Sequence, residues 1–168
     1  MEPSVRVRIP IATPIYLIYT FLMSKADDAI LFYEGEYYMF SNFSAFAVEW
    51  RGKVWMTSEH AYQAAKFDDK DIINQIFLAR SAYDSKKIAR ENNGNVRKNW
   101  DEVKLSVMEE ILRTKLEQHP YIKEKLIKSG GRYIIEDSHK DAFWGRGLDY
   151  KGQNQLGELW MKIRSELN

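Results

Sequence analysis

An apolar stripe near the middle of the chain constrains the fold more than any other feature of the sequence. Within residues 99–120, apolar side chains recur every three or four positions, which is the spacing of one face of an α-helix. The stripe consists of Val103, Val107, Ile111, Leu112 and Leu116. Asn99 or Asp101 can begin this helix, and Pro120 predicts its end, because the residue before a proline disfavours the helical conformation. The sequence therefore predicts one long amphipathic helix.

Shorter helical patterns fill most of the chain after Thr57. Each of the first three begins with a pair of residues that can act as N-caps, where a side-chain oxygen accepts from the backbone of the first turn. These pairs are Thr57 and Ser58, Asp68 and Asp69, and Asp84 and Ser85. Two further helices are predicted over residues 121–128 and 155–167. Helices therefore dominate the predicted fold.

Short strands are predicted in the part of the domain that precedes Thr57. Two hairpins are expected, one turning around Gly35 and one around Arg51 and Gly52. Residues 132–136 predict a last strand, and no repeat or linker divides the chain. The predicted fold class is therefore mainly α, with a small β-hairpin element near the N-terminus, in a single domain over residues 29–168.

Composition excludes several kinds of chemistry. The chain has 168 residues and no cysteine, which excludes disulfides, thiolate catalysis and cysteine-based metal sites. No two of its histidines, His60, His119 and His139, have the i, i+4 spacing of a helical metal site. The net charge is only +1, so no global field steers the protein to nucleic acid. We expect no metal and no cofactor, and we expect any contact with a polyanion to be local.

Residues 1–28 are predicted to be an extension outside the core fold. Arg6 and Arg8 precede an apolar run, residues 11–23, which is similar to the charged head and apolar middle of a signal peptide. The run is shorter than the roughly 20 apolar residues that cross a bilayer, and it contains Pro14. We favour an upstream tail on a cytoplasmic protein without membrane contact. A targeting signal is the alternative.

The segment MTSEHAYQAAKF, residues 56–67, carries the first candidate for chemistry. Glu59, Gln63 and Lys66 are spaced by four and three residues and therefore share one face of the predicted helix. Small and apolar neighbours favour partial burial, and a half-buried carboxylate beside an amine can act as an acid and base pair. The alternative is an ordinary exposed pair whose acid complements the helix dipole. Spacing alone leaves both interpretations open.

A glycine-rich segment, residues 141–157, carries the second candidate. Asp141 and Gly145 flank Trp144, whose indole offers a flat surface to a base or a sugar. Asn154 can cap the last helix, and the amides of that first turn can bind a phosphate. The alternative is a structural loop with a helix cap and a core tryptophan.

The one locally basic patch centres on RKNW, residues 97–100. Arg97 and Lys98 can bind a phosphate, with the indole of Trp100 beside them. Further basic residues precede this motif on a predicted helix, namely Lys86, Lys87 and Arg90. A solvated helix face has the same composition, so the patch alone does not decide between binding and solvation.

Five blocks of sequence, taken together and in this order, resemble one family. They are FSNF at residues 40–43, WMTSEHAYQAAKF at 55–67, RKNW at 97–100, DAFWGRG at 141–147 and GQNQLGELWMKIR at 152–164. Each block alone is a weak signal, but the five in order are specific. From about Phe32 to Leu167 the chain resembles the NADAR family, also called YbiA-like.

The resemblance implies a mainly helical N-glycosidase that needs no metal and cleaves the bond between C1 of a ribose and a nitrogen. It implies two substrate types: phosphoribosylamino-pyrimidine intermediates of riboflavin synthesis, and ADP-ribose attached to guanine in nucleic acid, including single-stranded nucleic acid. Matched by motif position, the catalytic residues are Glu59, Lys66, Trp100 and Asp141. The ligand-lining positions are Ser41, Asn42, Phe43, Trp144, Gly145 and Asn154, and Gln63 is a further candidate.

A rival interpretation comes from another class of protein, a module that binds ADP-ribose or a related nucleotide without cleaving it. Glu59, Lys66 and Asp141 together favour the enzyme, because binding alone does not require an acid and an amine on one helix face. Stacking on a base or adenine is expected of Trp100 and Trp144, and phosphate contact of Arg97 and Lys98.

Overall fold

A computed structural model describes residues 29–167, and helices form most of it. Its α-helices are α1 (Ser58–Ala64), α2 (Lys70–Phe77), α3 (Ala82–Glu91), α4 (Trp100–Gln118), α5 (Pro120–Lys128) and α6 (Gln155–Ser165). The predicted mainly α class is confirmed. The predicted extension, residues 1–28, lies outside the described residues together with its apolar run. Within residues 29–167, no helix is long and apolar enough to cross a membrane.

Side-chain caps explain where the first three helices begin. Thr57 Oγ1 accepts from His60 N at 3.3 Å, and Asp69 Oδ1 accepts from the backbone of the first turn of α2. Helix α3 begins earlier than predicted, at Ala82, because Ser81 rather than Asp84 is the N-cap. Ser81 Oγ accepts from Asp84 N at 3.1 Å and donates to the Asp84 carboxylate at 2.7 Å. The predicted position for this cap was therefore wrong by one turn.

The strands form two separate pairs. Strands β2 (Val48–Trp50) and β3 (Lys53–Trp55) make the predicted antiparallel hairpin. Its turn residues have positive φ, 50° at Arg51 and 73° at Gly52, which suits the right-handed twist of a two-residue hairpin. Strand β1 (Ile30–Phe32) instead pairs in parallel with β4 (Ile134–Glu136), about a hundred residues further along the chain. This parallel pair brings the two ends of the domain together.

The hairpin predicted around Gly35 is wrong. Residues Gly35–Phe40 form a 3₁₀ helix, and Gly35 enters it with φ of 74°. The helix turns Met39 and Phe40 into the core, where Trp160 Nε1 donates to Phe40 O at 2.9 Å. Burial of these side chains, together with the pairing of β1 to β4, outweighs the local preference of aromatic residues for a strand.

Helix α4 crosses the centre of the core. Most of its predicted apolar stripe is buried, and Ile111 and Leu112 are fully so. The same face also buries Lys115 completely. The Lys115 ammonium donates to Met39 O, Ser41 O and Ser44 Oγ at 2.7, 2.9 and 2.8 Å. We call this group, Lys115 with residues 39, 41 and 44, the lysine clamp; it fixes the segment that precedes α1.

Candidate active site

A wide groove of about 930 Å³ and a small cavity of about 110 Å³ lie side by side and share part of their lining. The shared residues are Phe43, Gln63, Lys66, Lys86, Glu136 and Asp141. Because Glu59 also lines the small cavity, three carboxyl groups surround it: Glu59, Glu136 and Asp141. We call the small space the carboxyl cavity. Residues from five separate parts of the sequence meet there.

Helix α1 supplies a buried carboxyl group. The Glu59 side chain is buried, and its Oε1 accepts from Gln63 Nε2 at 2.6 Å, so the two residues share one helix face as predicted. The backbone of Glu59 donates to Asn42 O at 3.0 Å, which ties α1 to the preceding segment. Burial raises the pKa of Glu59, although Lys86, the Gln63 hydrogen bond and Lys66 act in the opposite direction.

Lys66 lies just beyond the helix on which it was predicted. Helix α1 ends at Ala64, and Lys66 stands in the following turn, with its backbone donating to Gln63 O at 3.2 Å. Its ammonium lies 5.4 Å from the centre of the Tyr62 ring and 6.0 Å from that of Trp100. Burial lowers the pKa of Lys66, opposed by the charge of Glu59. A turn therefore presents this amine to the carboxyl cavity.

The loop after β4 supplies a third carboxyl group and an indole. Asp141 Oδ1 accepts from Phe143 N and Trp144 N at 3.0 and 2.9 Å, and Oδ2 lies 4.0 Å from Lys86 Nζ. Two backbone donors therefore hold the Asp141 side chain in place beside Lys86. The Trp144 ring meets the Tyr62 ring edge-on at 5.4 Å and lines the carboxyl cavity.

Glu136 is the site residue that the sequence analysis missed. It ends β4 and lines both the groove and the carboxyl cavity. Its Oε2 is buried and has no hydrogen-bond partner among the described residues. Burial raises the pKa of Glu136 to about 8, with further upward contributions from Asp141 and Glu59 and a downward one from Lys86. The sequence did contain a signal for this residue: Glu136 is an acid at the end of an apolar strand, just before the DAFWGRG block.

The segment before α1 forms another wall. Ser41 lines the groove, Asn42 lines the carboxyl cavity, and Phe43 lines both. Asn42 Nδ2 donates to Met108 Sδ at 3.3 Å, and Asn42 Oδ1 is buried without a partner in the described part of the chain. Ser41 Oγ accepts from Phe43 N at 3.2 Å. The segment thus offers an unused amide oxygen to the cavity.

Two residues predicted to contact substrate support the site from behind instead. Asn154 occupies the predicted N-cap position of α6, but its φ is 51° and its side chain does not cap the helix. Its Oδ1 accepts from Glu136 N at 2.8 Å, and its Nδ2 donates to Ile134 O at 2.9 Å. Gly145 is buried against the same strand, where an added Cβ would lie 2.9 Å from Glu136 O. Both residues hold β4 in place, and neither lines the groove or the carboxyl cavity.

The RKNW motif also lies behind the cavity. Trp100 is only 8% exposed, and its ring packs 5.1 Å from that of Tyr62, which leaves it under Lys66 and away from the groove surface. Arg97 lines a second concavity, on the side of the β2–β3 hairpin, and its backbone donates to Lys66 O at 2.9 Å. Lys98 is exposed and lines none of these spaces. The structure does not bring these three side chains to the groove.

Helix α3 supplies the basic side of the groove. Tyr83, Lys87 and Arg90 are spaced by four and three residues, so one helix face carries all three into the lining. Tyr33 and Tyr38 add aromatic surface, both of them well exposed. Aromatic and basic groups at this spacing can bind a phosphorylated ligand with a ring attached.

Carboxyl groups in different environments beside an amine whose pKa is lowered are typical of active sites. Within residues 29–167, no group of three His, Cys, Asp or Glu side chains is placed to hold a metal ion. Independence of metal remains a prediction.

Comparison with known proteins shows the family. A family model for the NADAR domain matches residues 31–168. The chain is 38% identical over 143 residues to the N-glycosidase YbiA of Escherichia coli, covering 84% of this chain and 89% of that protein. It is 35% identical over 153 residues to a riboflavin biosynthesis protein of Vibrio vulnificus, covering 90% of this chain and 42% of that protein. The chain therefore belongs to the NADAR family.

A solved structure supports the same conclusion. The NMR structure of E. coli YbiA matches this fold with a TM-score of 0.76 at 37% identity, covering 83% of this chain and 85% of that one. Relatives named N-glycosidases confirm the predicted class of enzyme, a hydrolase of glycosidic bonds.

Proposed function

We propose that this protein hydrolyses the bond between C1 of a ribose and a nitrogen of a base, and that the carboxyl cavity is where the bond breaks. The observation that carries the proposal is the meeting of Glu59, Glu136, Asp141 and Lys66 around one small cavity. Breaking such a bond builds positive charge at C1 while the leaving nitrogen needs a proton. Carboxyl groups in charged and neutral forms meet both needs.

The groove favours a substrate larger than a ribose. Its volume of about 930 Å³ and its lining by Lys87, Arg90 and three tyrosines suit an ADP-ribosyl group, with phosphates at the basic side chains and a ring against an aromatic one. ADP-ribose on guanine in nucleic acid is therefore one proposed substrate. A base within nucleic acid must be unstacked or single-stranded to reach the cavity.

A riboflavin-pathway glycosylamine is the second proposed substrate. The Vibrio vulnificus relative is named a riboflavin biosynthesis protein, and the present chain matches 42% of its length. A phosphoribosyl compound would place its ribose in the carboxyl cavity and its single phosphate at the basic residues of α3. The two substrates share the reaction at C1 and differ in how much of the groove they fill.

Two routes to the same products are consistent with the side chains. In direct hydrolysis, the Asp141 carboxylate stabilises the developing cation and activates water while a neutral carboxyl group protonates the leaving nitrogen. In the second route, Lys66 attacks C1 of the ring-opened imine, expels the amine, and forms a Schiff base that water hydrolyses. The lowered pKa of Lys66 favours the second route, because only the neutral amine is a nucleophile.

Release of the base is the test of this proposal. Guanine-ADP-ribosylated single-stranded DNA or RNA and a riboflavin-pathway glycosylamine are incubated in parallel with wild type and with Glu59→Gln. We expect wild type to cleave at least one of them and Glu59→Gln to lose activity, because it removes one of the carboxyl groups that surround the cavity. Glu158→Gln, which makes the same change at an exposed position in the first turn of α6, is the matched control and should behave as wild type.

The pattern of cleavage identifies the substrate. Cleavage of the first substrate alone indicates reversal of a nucleic-acid modification, and cleavage of the second alone indicates hydrolysis of a metabolic intermediate. Binding of ADP-ribose without cleavage of either would contradict the proposal and favour a binding module. Borohydride added during turnover separates the routes: an adduct that is lost in Lys66→Ala supports the Schiff base, and its absence supports direct hydrolysis.

A further inference from the structure

We propose that Glu136 is the acid that gives its proton to the departing nitrogen. This inference rests on the proposed function, and it adds to that function a residue placed at the site by the parallel pairing of β4 with β1. Both routes above need a proton at the leaving nitrogen, so the assignment holds for direct hydrolysis and for the Schiff base alike.

The three carboxyl groups of the cavity differ in the donors they receive. Asp141 accepts two backbone N–H groups and lies near Lys86. Glu59 accepts one short hydrogen bond from the Gln63 amide. Glu136 Oε2 is buried and accepts none from the described residues. Burial without hydrogen-bond donors favours the protonated form of a carboxyl group.

The charges around Glu136 are consistent with this division. Burial raises the pKa of Glu136 most, Asp141 from the following loop and Glu59 from α1 raise it further, and Lys86 from α3 lowers it, leaving a value of about 8. The other charged groups of the shared lining and of the groove are Lys66, Lys87, Arg90, Lys140 and Glu34. At neutral pH the Glu136 carboxyl is therefore mostly protonated.

The position of Glu136 fits a proton donor. It lines both the carboxyl cavity and the groove, so its carboxyl lies at the boundary between the two spaces. A bond between a ribose in the cavity and a base in the groove would cross that boundary. The strand end is fixed, since Asn154 accepts from Glu136 N at 2.8 Å and Gly145 packs against Glu136 O. A fixed acid at the boundary meets the geometric demand of general acid catalysis.

The step balances as follows. The C1–N bond breaks with its electron pair going to nitrogen, and the Glu136 proton moves to that nitrogen, which leaves a Glu136 carboxylate and a neutral amine or base. In direct hydrolysis, water then adds to C1 and its proton returns to Glu136. In the Schiff-base route, the Lys66 amine adds to C1 of the ring-opened imine before the C1–N bond breaks, and a proton from Lys66 returns to Glu136. Water then hydrolyses the Schiff base and its hydrogens restore the Lys66 amine, so either route consumes one water and regenerates the enzyme.

Two leaving groups test the assignment. Wild type and Glu136→Gln are assayed on the glycosylamine or ADP-ribosyl-guanine substrate that wild type cleaves, and on a 4-nitrophenyl riboside with the same phosphates. Nitrophenolate departs as a stable anion and needs no proton, but an O-riboside cannot open to an imine, so this comparison tests direct hydrolysis. If wild type leaves the riboside uncut, the pH profile below tests Glu136 instead, and the urea midpoint checks that the variant is folded. We expect Glu136→Gln to lose about 10²–10⁴-fold in kcat on the nitrogen substrate and to change little on the nitrophenyl riboside. Activity on the second substrate also shows that the variant is folded.

The pH profile provides an independent readout. For wild type, kcat/KM on the nitrogen substrate should fall above about pH 8, as Glu136 loses its proton. The residual activity of Glu136→Gln should lack this alkaline limb. Glu136→Asp keeps a carboxylic acid on a shorter side chain, so it should recover part of the activity and also the fall of kcat/KM above about pH 8. Glu158→Gln should match wild type at every pH.

The outcomes separate this inference from the proposed function. Equal losses on both substrates, or no loss on the nitrogen substrate, would overturn the role of Glu136 while wild-type cleavage still supported the N-glycosidase. An alkaline limb that persists in Glu136→Gln would also overturn it. Failure of wild type to cleave any substrate would remove the proposed function itself, and this inference with it.

Discussion

Two buried polar clusters meet at the segment 39–44, and they differ in how completely their hydrogen bonds are made. In the lysine clamp, the three N–H groups of Lys115 each have an acceptor within 2.9 Å. In the carboxyl cavity, Asn42 Oδ1, Gln63 Oε1 and Glu136 Oε2 are buried without a partner among residues 29–167. Buried polar atoms are normally paired, so a satisfied cluster maintains the fold and an unsatisfied one accepts a ligand.

The difference predicts that substitutions in the two clusters affect different properties. Changes in the carboxyl cavity should reduce catalysis and leave stability intact or higher, since removing a buried polar atom that has no hydrogen-bond partner removes a cost. Changes in the lysine clamp should reduce stability, because they leave buried acceptors without their donor. The following predictions test that separation in order of expected effect.

The largest effect is expected for Asp141→Asn. The new amide oxygen can still accept from Phe143 N and Trp144 N, so the loop should hold, but the negative charge that faces C1 is lost. We expect kcat to fall about 10³-fold with an unchanged urea midpoint. Asp149→Asn is the matched control, because Asp149 Oδ1 accepts from Lys151 N at 3.1 Å in an equivalent exposed turn. A comparable loss in the control, or unfolding of Asp141→Asn, would contradict the separation.

Lys115→Met tests the other cluster. Methionine fills a similar volume but donates nothing to Met39 O, Ser41 O and Ser44 Oγ. We expect the free energy of unfolding to fall by about 3 kcal/mol, because charge-assisted buried hydrogen bonds are lost together. Lys123→Met, at an exposed position on α5, should be neutral. Urea unfolding measures both, and an equally stable Lys115→Met would show that the clamp does not hold the segment.

The pH dependence of stability should have opposite signs in the two clusters. Burial lowers the pKa of Lys115 from 10.5 to about 7, so the unfolded state binds more protons between these values and stability rises with pH there. The pKa of Glu136 is raised from 4.5 to about 8, so the folded state binds more protons in that range and stability falls as pH rises. Each group contributes a slope of at most about 1.4 kcal/mol per pH unit.

Two variants separate these slopes. Lys115→Met should lose the rise between pH 7 and 10.5, and Glu136→Gln should lose the fall between pH 4.5 and 8. Urea unfolding across pH, for wild type and both variants, measures the slopes. If Glu136→Gln left the fall below pH 8 unchanged, another group would be responsible for it and Glu136 would not be protonated at neutral pH.

The smallest effect distinguishes the groove from the second concavity. Arg97 Nε is also buried without a partner in the described chain, but Arg97 faces the concavity beside the hairpin, and Arg90 lines the groove. We expect Arg90→Ala to raise KM about tenfold through a lost phosphate contact and Arg97→Ala to leave KM unchanged. Steady-state kinetics on the cleaved substrate decide this. A raised KM for Arg97→Ala with an unchanged KM for Arg90→Ala would place the phosphates at the RKNW motif, as the sequence alone had suggested.

Local signals predicted the helices well. The stripe on α4, the Thr57 cap and the Arg51–Gly52 turn depend on neighbours within a few residues, so their physics is readable in the sequence. Ser81 shows the limit of this, because the sequence favoured Asp84 or Ser85 as the cap, whereas Ser81 accepts from Asp84 N and donates to the Asp84 carboxylate in the structure. Element types were therefore more predictable than their exact ends.

Contacts between distant residues explain what the sequence did not reveal. The parallel pair of β1 and β4 joins residues about a hundred positions apart and leaves no local pattern. That pairing places Glu136 at the cavity, which is why a strand-ending acid was overlooked. Asn154 was recognised as a helix cap from its position, but its side chain binds the strand instead. Resemblance identified the motifs, and only packing showed which of their side chains face the groove.

The most direct test of the central claim is a structure of Glu59→Gln with ADP-ribose bound. We predict that C1 of the terminal ribose lies in the carboxyl cavity, in contact with Glu136 and Lys66, with the diphosphate along Lys87 and Arg90. A ribose bound instead in the concavity beside Arg97, with the carboxyl cavity filled only by water, would contradict the claim that the ribosyl bond is cleaved there.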